Sequence, residues 1–167
     1  MRYKAYKYRI YPNKKQQELI NKHIGCCRFV YNLCLEKKIN AYKTSKQNLS
    51  SFDLMKLLPA LKKEKETSFL KEVNSLSLQA AIYNLNNAYQ RFFKEKKGFP
   101  KFKSKRDAKQ SFQIVQNMKV DFDEKKVYIP KFREGIKCRF HRVFDGKIKT
   151  STISRTSTGR YYISILV

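Results

Sequence analysis

The chain opens on alternation. In "RYKAYKYRIY" (2–11), Tyr6, Tyr8 and Ile10 fall on one face and Lys7 and Arg9 on the other, the period of a half-buried strand. Pro12 and Asn13 close this strand, with Asn13 placed to cap a helix. The period then lengthens. Leu19, Ile20, Ile24, Cys27, Val30, Tyr31 and Cys34 recur at helical spacing, and Gly25 is a candidate break between two helical pieces. Residues 43–51 are polar and loop-like. Ser51 is read as the cap of a short helix bearing Phe52, Leu54, Met55, Leu57 and Leu58, which Pro59 ends or restarts. "KKEKE" (62–66) mixes both charge signs and reads as solvated surface. Leu76–Lys94 is the strongest helical pattern. It sends Leu78, Ile82, Leu85, Tyr89 and Phe92 inward and sets Gln79, Tyr83, Asn86, Asn87, Gln90 and Arg91 on another face. That second face carries amides where a plain solvent face would carry Glu and Lys.

After Gly98-Phe99-Pro100 the period falls to two. Short strands are predicted near 111–115, 118–122, 126–129, 136–141, 147–154 and 160–167, with Asp145-Gly146 and Thr158-Gly159 as hairpin turns and "DFDEKK" (121–126) as a hairpin tip. The order is strand, helices, many strands. A lone first strand needs partners, and only the later strands can supply them. The expectation is an α+β chain in which a small β-barrel, made discontinuous in sequence, is interrupted by a helical insertion.

Composition adds partner class. Of 167 residues, 41% are hydrophobic, enough for a core, but 38 Lys and Arg stand against 13 Asp and Glu, a net charge of +25. The cations run from Arg2 to Arg160 and alternate with strand-forming residues. A fold with that imbalance repels itself unless it meets a polyanion. Nucleic acid fits better than an anionic membrane, which would be met by one strongly basic amphipathic helix. The chain begins Met-Arg-Tyr-Lys with no apolar leader and has no run of about 18 apolar residues, so a reduced cytoplasmic setting and no membrane association are expected.

Site chemistry is sparse. His23, Cys27 and Cys34 share a helical spacing, but a structural zinc takes four ligands, so buried thiols are the simpler reading. The acids sit in charged loops and turns, His23 and His141 lack a Ser or Cys partner, and no phosphate-cradling Gly loop exists, so no catalytic residue is assigned. "GFPKFKSKRDAKQSF" (98–112) is more telling. Extended, it points Lys101, Lys103 and Lys105 one way and Phe102 and Ser104 the other, so rings anchor an arm whose lysines meet phosphates, or a ring stacks on an unpaired base. Gln79, Asn86, Asn87 and Gln90 carry amides able to pair with adenine edges.

"YKYRIYPNKKQQELINKHIGCCRFVYN" (6–32) resembles the opening of the OrfB/TnpB family of insertion-sequence transposon proteins. "SLSLQAAIYNLNNAYQRFF" (75–93), "KKGFPKFKSKRDAKQSF" (96–112), "VYIPK" (127–131) and "GKIKTSTISRTSTGRYYISILV" (146–167) follow in the family's order, covering nearly the whole chain. The resemblance implies an RNA-guided DNA endonuclease related to the type V CRISPR effectors, working in the prokaryotic cytoplasm at the nucleoid. Its N-terminal half is a wedge-type, OB-like barrel interrupted by a helical recognition insertion with a helix-turn-helix-like start. On this chain that gives residues 1–12 as the first barrel strand, 13–109 as the insertion and 110–167 as the rest of the barrel. The family's RuvC nuclease domain, with its Mg-binding acids and Zn ribbon, would follow Val167, so this chain is expected to hold neither cofactor and to bind without cutting. The resemblance places contacts to target-flanking duplex DNA at Phe52, Ser75, Leu76, Gln79, Gln116 and Asn117. It places guide-RNA contacts at Lys7, Arg9, Lys101, Lys103, Lys105, Arg106 and Lys109. Two other readings share the charge: a truncated stand-alone DNA-binding relative acting at transposon ends, and a basic RNA-scaffold protein.

Overall fold

The computed structural model describes residues 2–167. Its elements are β1 (Ala5–Tyr11), α1 (Lys14–Ser45), α2 (Ser51–Met55), α3 (Leu57–Lys63), a 3-10 helix (Lys65–Glu72), α4 (Ser75–Glu95), β2 (Gln110–Ile114), β3 (Lys119–Asp121), β4 (Lys126–Tyr128), β5 (Ile136–Arg139), β6 (Thr150–Arg155) and β7 (Tyr161–Leu166). The fold is α+β, with every helix between the first and second strands. Two compact units result. One gathers the chain up to Ile24 with Arg106–Val167, and the other is Gly25–Lys105.

The first unit holds one antiparallel sheet in the order β2-β6-β7-β1-β5-β4-β3. β1 lies between β7 and β5, so the lone first strand does pair with later ones. The ladder is open at β2 and β3, yet only residues 115–118 join those two edges. Laid flat, seven strands at about 4.8 Å would separate the edges by about 29 Å. Five Cα steps reach about 18 Å at most. The sheet must therefore roll until its edges approach, which is the barrel-like curl expected from the strand count. Its inner face is set by alternation: Tyr8 opposite Ile163, Ile10 opposite Cys138, Phe112 opposite Ile153 and Val127 opposite Ile136, all buried.

Of three turn expectations two hold and one fails. β3 and β4 form the expected hairpin around 122–125, its tip held by the Glu124 amide donating to Asp121 Oδ1 at 2.9 Å. Thr158-Gly159 turns β6 into β7, with Gly159 at φ +82°. Asp145-Gly146 does not make a hairpin, because β5 and β6 are not neighbours. It belongs to the irregular connection 140–149, which is anchored by rings: Phe140 packs edge-on to Tyr8 (4.9 Å) and Phe144 lies on Tyr6 (5.2 Å), with Phe122 against both.

α1 is one helix through Gly25, so the expected break is absent. Its buried positions continue without a gap: Gln16, Ile20, His23, Ile24, Cys27, Val30, Tyr31, Cys34, Leu35 and Lys38. A glycine costs a helix about 1 kcal/mol, less than a buried turn on either side returns. Asn13 caps it as expected, in a reciprocal pair. Gln16 N–H donates to Asn13 Oδ1 and Asn13 N–H to Gln16 Oε1, each at 2.9 Å. α1 also runs to Ser45, so the loop begins later than the polar stretch suggested.

The second unit centres on α4, whose Leu78, Ile82 and Leu85 are fully buried with Leu54 of α2, Leu58 of α3 and Leu70 of the 3-10 helix. Ser50, not Ser51, caps α2, in a capping box with Asp53. Asn74 caps α4 through its Oδ1, which accepts from the Leu76 amide at 3.2 Å. In both cases the cap sits one residue before the first helical turn.

Candidate nucleic-acid interface

The outer face of the rolled sheet is where the register concentrates charge. Lys7 and Arg9 alternate with buried Tyr8 and Ile10 and so point outward from β1. Arg9 stands opposite Arg139 on one side and Tyr162 on the other. One strand further, Lys126 stands opposite Lys137. Directly opposed side chains lie about 5 Å apart at Cβ, and like charges there destabilise a sheet. Two such pairs lie side by side, with Asp121 of β3, opposite Lys126 on its other edge, as the carboxylate in register with them. Lys7, Arg9, Arg139, His141, Thr156 and Tyr162 line a cleft of about 540 Å³ on this face. Aromatic rings hold its cations in place: the Lys7 ammonium lies 4.9 Å from the Tyr162 ring centre, and the Arg9 guanidinium 5.0 Å from that of Tyr11. Arg9 Nε is buried with no hydrogen-bond partner. Sequence reasoning named Lys7 and Arg9 but missed Arg139, Lys137 and Lys126. The alternation in "IKCR" (136–139) marks their outward direction, but only the register opposes them to other cations.

The arm after α4 is fixed differently from expectation. α4 ends at Lys96 in the left-handed region, φ 54°. Phe99 packs edge to face on Tyr89 (5.4 Å) and Phe92 (5.3 Å), and Pro100 is buried. Phe102 does not anchor the arm, being 54% exposed. Asn32 of α1 does that work. Its Nδ2 donates to the Lys103 carbonyl at 2.9 Å and its Oδ1 accepts from the Lys103 amide at 2.7 Å. A side-chain amide offers the same donor and acceptor as a peptide, so Asn32 binds Lys103 as a paired strand residue would. The Lys103 ammonium lies over Tyr31, 4.7 Å from the ring centre. Lys101, Lys105, Arg106 and Lys109 are exposed.

The positions linked to duplex DNA fall in both units. Phe52 on α2 is 74% exposed, and α2 packs on α4, whose first turns carry half-buried Ser75, Leu76 and Gln79. Ser75 is the first helical residue and not the cap, which is Asn74. Gln116 and Asn117 are exposed on the β2–β3 link, in a cleft of about 290 Å³ shared with Lys147 and Lys149. Asn117 has φ 63°, a conformation Asn adopts more readily than most residues, so backbone geometry alone gives a reason for its side chain.

The cysteines are buried thiols. Burial pushes Cys27 and Cys138 up to about 12 and Cys34 to about 11, and Cys27 Sγ donates to the Ser77 carbonyl at 3.5 Å. Among the described residues no three His, Cys, Asp or Glu side chains converge to hold a metal. No helix among them is long and apolar enough to cross a membrane.

Residues 1–47 match a helix-turn-helix domain family of the IS605 OrfB type. Within that span lie β1 (Ala5–Tyr11) and the unbroken α1 (Lys14–Ser45). A Streptomyces pristinaespiralis protein described as a candidate RNA-guided DNA endonuclease is 30% identical over 165 residues, 98% of this chain and 41% of the relative. InsQ of Escherichia coli K12, described likewise, is 30% identical over 164 residues, 98% of this chain and 40% of its own length. The virulence protein VsdF of Salmonella dublin is 37% identical over 111 residues, 61% of this chain and 93% of the relative. The chain thus spans about two fifths of the endonuclease relatives, in agreement with the N-terminal portion that the motif order implied. These matches carry the resemblance from motifs to nearly the full sequence: the chain belongs to the OrfB/TnpB family of insertion-sequence transposon proteins.

Proposed function

We propose that this chain is the nucleic-acid-binding module of a TnpB-like RNA-guided DNA endonuclease, holding guide RNA on the barrel face and reading duplex DNA beside the target. It binds and does not itself cut. The observation that carries the RNA half is the pair of like-charge oppositions, Arg9–Arg139 and Lys126–Lys137, on one outward face. A folded protein keeps such a surface where a polyanion relieves it, and the phosphates of an RNA strand would supply that relief. The DNA half is supported by the amides of α4 and by exposed Phe52.

The test separates function from stability. Arg139→Gln and Lys137→Gln should each weaken binding of a transposon-end RNA and flatten its salt dependence by about one counterion per charge removed. The same substitutions should leave thermal stability of the free protein unchanged or raised, by about 0.2–1 kcal/mol, because each removes a repulsion. Weakened folding with unaltered RNA affinity would mean that these cations serve the sheet and not a ligand.

VsdF favours a second reading. The match spans 93% of that relative, so the shared region makes up almost a whole protein there. On this reading the module acts as a stand-alone DNA-binding protein. Preference for duplex DNA over transposon-end RNA in direct competition would select it.

A further inference from the structure

Within the helical unit, the inward stripe of α4 does not close. Leu78, Ile82 and Leu85 are fully buried, but the same stripe reaches Tyr89 and Phe92, which are only partly covered. There they border a cleft of about 480 Å³, together with Tyr42 and Lys43 of α1, Phe93, and Phe99 of the arm. That volume lies in the ~300–1,000 Å³ range of clefts that take small planar ligands. Phe93 is 67% and Tyr42 63% exposed. A ring so exposed in water is costly, and Phe93 is also braced. Phe93 meets Phe92 edge to face at 5.1 Å, and Phe99 does the same with Phe92 and Tyr89. The α4 and arm side of the cleft is therefore held by ring contacts, with aromatic surface open.

The floor of the cleft is cationic. Lys38 is 6% exposed, and its ammonium donates to Asn48 Oδ1 at 3.0 Å and to the Leu49 carbonyl, 4.5 Å from the Tyr89 ring centre. Among the described residues no carboxylate lines the cleft, and the exposed run Lys94-Glu95-Lys96-Lys97 that follows Phe93 is net positive. An apolar protein face would gain nothing from lysines beneath and beside it. A nucleotide would use both: its base has a π-face for the rings, and its phosphates answer the lysines.

We propose that this cleft is a stacking site for one unpaired base of a single-stranded RNA segment, with Phe93 and Tyr42 on the base and the neighbouring lysines on its phosphates. The proposal rests on the RNA-binding reading above, but on residues that the barrel face does not share.

The full chain would be titrated with a short single-stranded RNA carrying 2-aminopurine at one position, and with a paired RNA duplex of equal length. Binding should quench the probe in the single strand. Phe93→Ala and Tyr42→Ala, both at exposed positions, should abolish the quench and weaken single-strand binding roughly 5- to 100-fold, while duplex affinity and melting temperature hold. Arg139→Gln should weaken RNA binding yet leave a quench at saturation. If wild-type protein binds RNA and neither ring matters, the stacking site is overturned while the RNA reading stands. If wild-type protein binds no RNA, both fall. Ring-dependent binding of single-stranded DNA alone would overturn the assignment to RNA. A shift in oligomeric state on Phe93→Ala, with RNA binding unaltered, would overturn the proposal in favour of a second copy of the chain.

Discussion

His23 shows at the residue scale how one side chain can be chemically inert and still govern stability. It is 0% exposed, its ring lies 4.7 Å from that of Phe112 and 5.6 Å from that of Phe132, and its Nδ1 pairs with the Leu19 carbonyl at 2.9 Å. Burial pulls its pKa below the usual histidine range, the Leu19 bond opposes that in part, and the Lys131 charge adds to the fall. In the window between this lowered value and the ordinary ~6.5, the unfolded chain takes up a proton that the folded chain refuses. Stability is therefore full above that window and drops as pH falls through it. Urea midpoints should decline between pH 7 and pH 5, and His23→Phe, which keeps a ring between the two phenylalanines, should flatten the decline. An equal decline in the variant would assign it to other groups. Read as sequence, His23 sat beside Cys27 and Cys34 as a possible ligand set. Burial among rings gives the histidine a different reason to be there.

The helices and strands were legible to the extent that burial follows periodicity. The alternation of β1, the α4 stripe and the insertion of helices between strands all came from period alone, because one-sided burial writes itself into the sequence. Two features did not. Gly25 reads as a break because glycine is a poor helix former, but it lies inside a stripe that is buried turn after turn, and tertiary burial outweighs propensity. Asp145-Gly146 reads as a hairpin because its chemistry is local, whereas the pairing of β6 with β2 and β7 is decided by the whole sheet. Of the candidate site, the outward direction of Lys7 and Arg9 was readable. The opposition of Arg9 to Arg139 was not, since register joins residues 130 positions apart. The glycines allow a test at this scale. A Cβ on Gly25 would meet only Arg28 Nη2 at 3.7 Å, ordinary contact, so Gly25→Ala should stabilise by about 0.5–1 kcal/mol in denaturant unfolding. At Gly135 a Cβ would come within 2.9 Å of the Tyr128 ring, so Gly135→Ala should destabilise, whereas destabilisation by Gly25→Ala would contradict the continuity of α1.

For the whole molecule, a net charge of +25 guarantees attraction to any nucleic acid, and that attraction alone cannot choose a sequence. Phosphate contacts set position and bring salt dependence; contacts to base edges set preference. On the proposed reading the two kinds of group lie on different elements. Its opposed cations lie on the rolled sheet, while Gln79, Tyr83, Asn87 and Gln90 follow one another at helical spacing along α4. An amide reaching an adenine edge discriminates by about 1–3 kcal/mol at that base pair and carries no charge to release a counterion. Gln79→Ala should therefore relax preference among duplexes with randomised flanking sequence at one position, by about 1–3 kcal/mol, with the salt slope unaltered. Arg139→Gln should do the reverse, lowering the slope of RNA binding and leaving the ranking of duplexes intact. Competition binding of both variants across a salt series measures the two effects independently. A uniform loss across all duplexes from Gln79→Ala would place that side chain in the packing of the helical unit, where its half-buried position equally allows it to act.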